Sequence, residues 1–299
     1  MELVVALALL PAVLWGLSPI LSKRGMAGGG SSLQASLTVV AVDGTLYLGA
    51  LFALQGFDVA TSVTAGASAL FLGAGVVGTA LGRLAVFVGV DRVGASVNSA
   101  VISTRPLFAG LLAVLVLGEG VTAATVGGIV VLVGGLVVLA LSRGGDLSGW
   151  RTRDLLFPLA AAVAFGTGNV ARKFGLDTFP AVTLLEAVAL NELGALLTLA
   201  TYGIVADRRD VFRAPRRTYA YFAGSGTLTA VALLSLFAAL RLGRVVVVDP
   251  LAATAPLFTA LFAAVLLRDL ERVTPRLVVG VVLIVVGVGL VVVDPAVPL

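Results

Sequence analysis

Few residues in this sequence could do chemistry, and they stand out against an apolar background. The chain is 59% hydrophobic and 12% charged, about half the charge density of a soluble domain. Asp43, Arg83, Arg105 and Glu192 interrupt long apolar stretches, and Glu186 lies near the start of the stretch that holds Glu192. An ionisable side chain within a bilayer costs about 2.5–3.5 kcal/mol on insertion scales, so it faces the bundle interior and marks a functional site by default. Asn98 and Arg105 are seven residues apart, nearly two helical turns, and so are expected on one helix face. An arginine beside an amide suits an anionic or carboxylate-bearing solute. A buried carboxylate without a basic partner can exchange protons near neutrality. Glu192 lacks an evident basic partner and is the expected proton site. Asp43 and Glu186 are further ion-coupling candidates.

Alternatives stay open at several of these positions. Asp43 is expected to pair with Arg83 or Arg105, and such a pair could be purely structural. Glu192 could instead hydrogen-bond a neighbouring span. Ala162, Phe165, Asn169 and Arg172 form a second stripe at helical spacing, which places Asn169 with Asn98, Arg105 and Arg83 among the solute-binding candidates. Trp15 offers a surface for stacking on a solute or for packing.

The missing residue types exclude other chemistries. Cysteine and histidine are both absent, which removes disulfides, thiol nucleophiles, the commonest metal ligand and the commonest general base. No phosphate-cradling loop with a lysine is present. An enzyme is therefore not expected, and an ATP-driven pump is excluded for this chain alone. No cofactor is implied beyond an ion gradient, and no metal.

The elements that must carry these residues are membrane helices. Apolar runs of about 20 residues, the length that spans about 30 Å of hydrocarbon, recur with short polar breaks. They lack the alternation of a β-barrel. Ten spans are expected, at about 3–23, 33–56, 67–90, 94–117, 121–142, 154–174, 180–206, 218–240, 245–267 and 274–294. The first run follows Met1-Glu2 without a basic stretch, so it reads as a retained span, not a signal peptide. The formal charge of +4 and the pI of about 10.0 reflect basic loops that set orientation and meet anionic lipid, not a nucleic-acid surface. The expected partners are a small solute and the lipid bilayer, with protons left open and the chain a monomer or homodimer.

The spans repeat. Pro106–Glu119 returns 150 positions later as Pro256–Asp269, with Pro106, Leu107, Phe108, Leu111, Ala113 and Leu117 matched by identical residues. Gly16, Lys23, Thr79 and Thr104 keep the same offset to Gly166, Lys173, Thr229 and Thr254, and beyond Glu119 the offset becomes 152. Residues 1–144 and 154–296 are thus two related five-span halves, joined by the glycine-rich stretch Arg143–Arg153. Five is odd, so the second half enters the membrane from the other side. The fold class is all-α, with ten transmembrane helices as two inverted five-helix repeats. Of the twenty Lys and Arg, Arg83 and Arg105 lie within spans and Arg172, Lys173, Arg241 and Arg244 follow even-numbered spans; the remaining fourteen follow odd-numbered spans. The positive-inside rule then places both termini outside the cytoplasm.

Local signals complete the reading. Pro106 frees a backbone carbonyl one turn back, and local unwinding there is expected to line the pathway. Glu119 is expected to cap span five and Asp269 to cap span ten. Lys23 and Lys173 are expected to snorkel. Asp249-Pro250 is expected to mark a kinked start of span nine, with lining the cavity the alternative. Gly127, Gly128, Gly134, Gly135, Gly280, Gly287 and Gly289 in spans five and ten are expected to permit close helix packing, with hinging the alternative.

Trp15-Gly16 with Lys23, echoed by Phe165-Gly166 with Lys173, and the run Pro106 to Gly118-Glu119, echoed by Pro256 to Arg268-Asp269, resemble the EamA domains of the drug/metabolite transporter superfamily. The resemblance covers nearly the whole chain and implies a ten-span permease of the cell membrane that moves metabolites, amino acids, nucleosides or drugs, often with protons. It also implies cytoplasmic termini, which the charge count opposes. The expected function is secondary active transport of a small polar or anionic, amino-acid-like solute or drug by alternating access. The rivals are an intramembrane lipid-modifying enzyme, for which the ionisable groups lie too deep, and a membrane sensor or scaffold without flux.

Overall fold

A backbone in lipid must satisfy its own polar groups, and for apolar runs of this length the solution is a helix. The computed structural model describes residues 2–56, 63–93, 95–141, 150–206, 213–266 and 275–292, and among these every long element is helical. Spans one and two are α1 (Glu2–Ala27) and α2 (Ser32–Gln55). Span three is α3 (Ala65–Gly75), a π-helical segment (Val76–Leu81) and α4 (Gly82–Val93). Span four is broken into α5 (Ala95–Ile102) and α6 (Arg105–Leu117), and span five is α7 (Ala123–Leu141). The second half follows with α8 (Leu156–Thr178), α9 (Leu184–Val205) and α10 (Arg216–Leu242). Span nine is broken into α11 (Val245–Ala252) and α12 (Ala255–Leu266), and span ten is α13 (Pro275–Val292). Nine of the spans are long and apolar enough to cross a membrane, and Val278–Val292 is a shorter tenth among the described residues.

Sequence signals set several helix starts. Ser31 and Gln34 form a reciprocal cap at the start of α2, and Thr64 caps α3 through the Ala67 amide. The breaks in spans four and nine fall at equivalent places, since Thr104 and Thr254 each return a hydroxyl hydrogen bond to the carbonyl three residues back, 2.6 Å to Val101 and 2.7 Å to Leu251. Each break immediately precedes the segment that carries the repeated proline, Pro106 or Pro256.

The seam between spans five and ten fixes the relation of the halves. A Cβ built on Gly128 would lie 2.9 Å from the Gly287 carbonyl oxygen, and one on Gly135 would lie 2.8 Å from that of Gly280. Residue numbers rise on one helix as they fall on the other, so α7 and α13 run antiparallel. Copies lying the same way up would run parallel here. Gly280 is the repeat counterpart of Gly128 and Gly287 that of Gly135, so the seam is isologous, as in a two-fold dimer. These four glycines serve close packing. Among the described residues, Gly127, Gly134 and Gly289 have no neighbour within 4 Å of such a Cβ.

Candidate functional site

Six elements converge on a buried line of polar side chains. Span four breaks at Ser103–Thr104, and Arg105 opens α6. The Arg105 side chain crosses to the other half, where Nε lies 3.1 Å from Asp249 Oδ1 and 3.2 Å from Oδ2, and Nη2 donates to the Asp249 carbonyl at 3.3 Å. Asp249 sits in the middle of α11 with no exposed surface. Its Oδ1 also accepts from Asn169 Nδ2 on α8. Asn169 Oδ1 in turn accepts from Arg172 Nη1, 2.6 Å away on the next turn of the same helix.

Arg172 is the hub. Its Nε donates to Asn191 Oδ1 at 3.0 Å and its Nη2 to Thr79 Oγ1 at 2.9 Å, and its guanidinium lies 5.6 Å from the centre of the Phe237 ring. Only 4% of Arg172 is exposed. Room for it comes from Gly78 and Gly168, where the π-helical segment and α8 touch backbone to backbone: a Cβ on Gly78 would lie 2.5 Å from the Gly168 Cα. Asn191 Nδ2 then donates to Glu192 Oε1 at 2.9 Å and to Thr79 Oγ1 at 3.2 Å.

Asp43 stands beside the Glu192 end. Helices α2 and α9 are antiparallel, as shown by Gln55 donating to Thr183 at one end and Leu37 approaching Gly203 towards the other. Val40 and Ala195 share a small apolar cluster with Ala80 and Leu199. Asp43 lies one turn after Val40 and Glu192 one turn before Ala195, which in antiparallel helices is the same direction. The two carboxyl groups act on each other electrostatically, and Arg83 acts on both. Neither Asp43 oxygen nor Glu192 Oε2 has a hydrogen-bond partner among the described residues, and both residues have no exposed surface. Arg83 makes no ion pair within 4.0 Å among the described residues; the salt bridges found are Arg92–Asp154, Arg105–Asp249 and Lys173–Asp177.

Several expectations from the sequence are corrected. Arg105 pairs with Asp249 and not with Asp43, because the broken helix turns it towards α11. Asn98 and Arg105 share no continuous helix face, because the break separates α5 from α6. Asn98 is buried with its Oδ1 against Gly89 and no hydrogen bond to that oxygen among the described residues. Asp249-Pro250 is not a kinked start: both residues lie inside α11, and the break follows at Ala253–Thr254. Arg172, tallied with the loop cations, is buried in the bundle, which widens the excess of basic residues after odd-numbered spans. Glu119 caps not its own span five but the first turn of α11 in the other half, accepting from Val245 N at 2.8 Å and Val246 N at 3.0 Å. Lys173 pairs with Asp177 at 2.9 Å, its side chain only 14% exposed. Asp269, Arg268 and the joint at 142–149 lie outside the described residues.

The remaining candidates fall as follows. Glu186 lies in a reciprocal cap with Thr183 at the start of α9, accepting from the Thr183 amide at 2.7 Å. Trp15 packs partly buried against the apolar core. Phe165 rests on Gly82. Sequence reasoning missed Asn191 and Thr79, favoured a helix start over a cavity role for Asp249, and saw Arg172 as part of a stripe and as a loop cation. The signal available was charge balance: three acids, Asp43, Glu192 and Asp249, sit in apolar runs with three arginines, Arg83, Arg105 and Arg172.

Comparison with known proteins agrees with this architecture. The sequence matches the model of the EamA-like transporter family twice, over residues 3–141 and 153–293. It is 26% identical to an uncharacterized transporter of Archaeoglobus fulgidus over 221 residues, 72% of each chain. It is 25% identical to an uncharacterized protein of Methanocaldococcus jannaschii over 134 residues, which is 45% of this chain and 92% of that one. A solved crystal structure superposes with a TM-score of 0.76 over 96% of this chain and 95% of the other at 19% identity, a likeness of fold. Two family matches that together span the chain, on ten apolar helices arranged as inverted halves, make this multi-pass membrane protein a member of the EamA-like transporter family.

Proposed function

We propose that the chain is a secondary active transporter that moves a small polar solute by alternating access, with Glu192 and Asp43 as the ion-coupling carboxylates. The observation that carries this reading is the set of three buried carboxylate oxygens, Asp43 Oδ1 and Oδ2 and Glu192 Oε2, that accept no hydrogen bond among the described residues. A buried charge left unpaired is costly. A site that tolerates one is built to receive a proton or a cationic group during its cycle. Arg83, whose charge acts on both carboxylates and which makes no ion pair among the described residues, is the side chain best placed to hold an acidic group of the solute. The Arg105–Asp249 pair, one residue from each half, is the contact that changes as the halves rock.

The test is flux in proteoliposomes of the purified protein under an imposed pH gradient, after a thermal-shift screen has identified a solute. Glu192→Gln and Asp43→Asn are expected to lose pH-driven accumulation while still equilibrating the solute downhill. Accumulation that follows the pH gradient unchanged in both variants refutes the assignment.

A further inference from the structure

The polar line has a symmetry of its own. Arg172 gives one hydrogen bond to Asn169 Oδ1 and one to Asn191 Oδ1. Asn169 turns its Nδ2 to Asp249, and Asn191 turns its Nδ2 to Glu192. The order carboxylate, amide, guanidinium, amide, carboxylate reads the same from either end. Arg172 touches neither carboxylate, yet its charge acts on both Glu192 and Asp249. The ends differ in one respect. Asp249 is already held by Arg105, whereas Glu192 Oε2 has no donor among the described residues.

We propose that Asn169, Arg172 and Asn191 are positioning residues that carry the occupancy of Glu192 to the Arg105–Asp249 pair, and so couple ion binding to the contact between the halves. The proposal rests on Glu192 as an ion-coupling group. A proton or cation on Glu192 cancels its pull on Arg172. The guanidinium then draws on Asp249 through Asn169. Asp249, drawn towards the Arg172 charge through Asn169, loosens its hold on Arg105, which directly follows the break in span four. Linkage is reciprocal, so separation of the pair strengthens the hold of Glu192 on its cation by the same factor. The charged and titratable groups that face Glu192 are Asp43 and Tyr47 from α2, Arg83 from α4 and Arg172 from α8. The amide arms matter because a neutral group orients its dipole between unlike charges without adding a charge of its own.

The natural absence of cysteine allows a single reporter. Thr104→Cys, beside Arg105, would carry an environment-sensitive fluorophore in full-length protein in nanodiscs, and emission would be followed as pH falls from 8 to 5.5, with protons as the probe. The emission change is expected in the parent and lost in Glu192→Gln. Asn169→Ala and Asn191→Ala each cut one arm and are expected to shrink the change about tenfold, within the usual range of coupling between sites. Asn169→Gln, which keeps an amide, is expected to retain part of it. A full-sized change in either alanine variant overturns the relay. So does a flat parent in protein whose flux still responds to pH. A change that persists in Glu192→Gln instead removes Glu192 as its source and sinks the reading on which the relay rests.

Discussion

The Arg105–Asp249 pair gives the sharpest energetic prediction. Asp249 is fully buried, and the Arg105 side chain is 15% exposed. Removing one member of a buried pair typically costs 3–5 kcal/mol, because the other charge is left uncompensated. Two features lower that figure here. A membrane protein unfolded in lipid finds other partners for its polar groups, so measured intramembrane hydrogen bonds average only about 0.6 kcal/mol. Arg105 can also extend its stem towards water, which Asp249 cannot do. Asp249→Leu is therefore expected to destabilise by about 2 kcal/mol and Arg105→Met by about 3 kcal/mol, since the latter leaves a carboxylate with only the Asn169 amide. The double variant removes both charges and leaves only Asn169 short of an acceptor, at about 2 kcal/mol. The coupling energy is then about 3 kcal/mol, the upper end for residues in contact. Reversible unfolding by titration with dodecyl sulfate in mixed micelles, followed through Trp15 and Trp150, measures all four corners of the cycle. Additive single changes, with the double variant near 5 kcal/mol on the same scale, would refute the pairing. A larger cost for Asp249→Leu than for Arg105→Met would refute the argument from exposure.

Two further predictions follow from packing and capping. Gly168→Ala places a methyl group against the Gly78 backbone, so α8 must move from the π-helical segment. The expected cost is about 1–3 kcal/mol in the same unfolding assay, with weaker pH-driven flux because Thr79 then draws away from Arg172. Glu119→Ala removes the acceptor for two amides at the start of α11 and is expected to cost about 1–2 kcal/mol. Glu119→Gln, which keeps one acceptor oxygen, is expected to recover about half of that loss; equal losses in the two variants would argue against the cap.

What could be read from the sequence divides by the range of the interaction. The ten spans, the two halves and their inversion follow from run length and the 150-residue offset, because hydrophobic length and helix count are properties of each segment alone. Pro106 was likewise readable as a mark of local unwinding, and the break stands just before it. Partners across the bundle were not readable. Glu119 lies in the short link between spans four and five, yet its amides are more than 120 residues away. Arg172 precedes Lys173 at the end of an apolar run and so resembles a loop cation, whereas Gly78 and Gly168 admit it to the interior. Asp249 is followed by proline, which in isolation signals a helix start. Asn191 drew no notice beside Glu192, although it is the residue that holds that carboxylate.

The self-complementary glycine seam has a consequence for ancestry. A single five-helix ancestor, inserted both ways up, would have closed this seam as a pair of separate polypeptides, and every substitution in its gene would have appeared on both faces at once. Duplication ended that constraint. Arg172 now stands opposite Ser22 in the other copy, Asp249 opposite Ser99, and Glu192 opposite Val42. A lopsided set of charges of this kind could evolve only after each copy had its own codons.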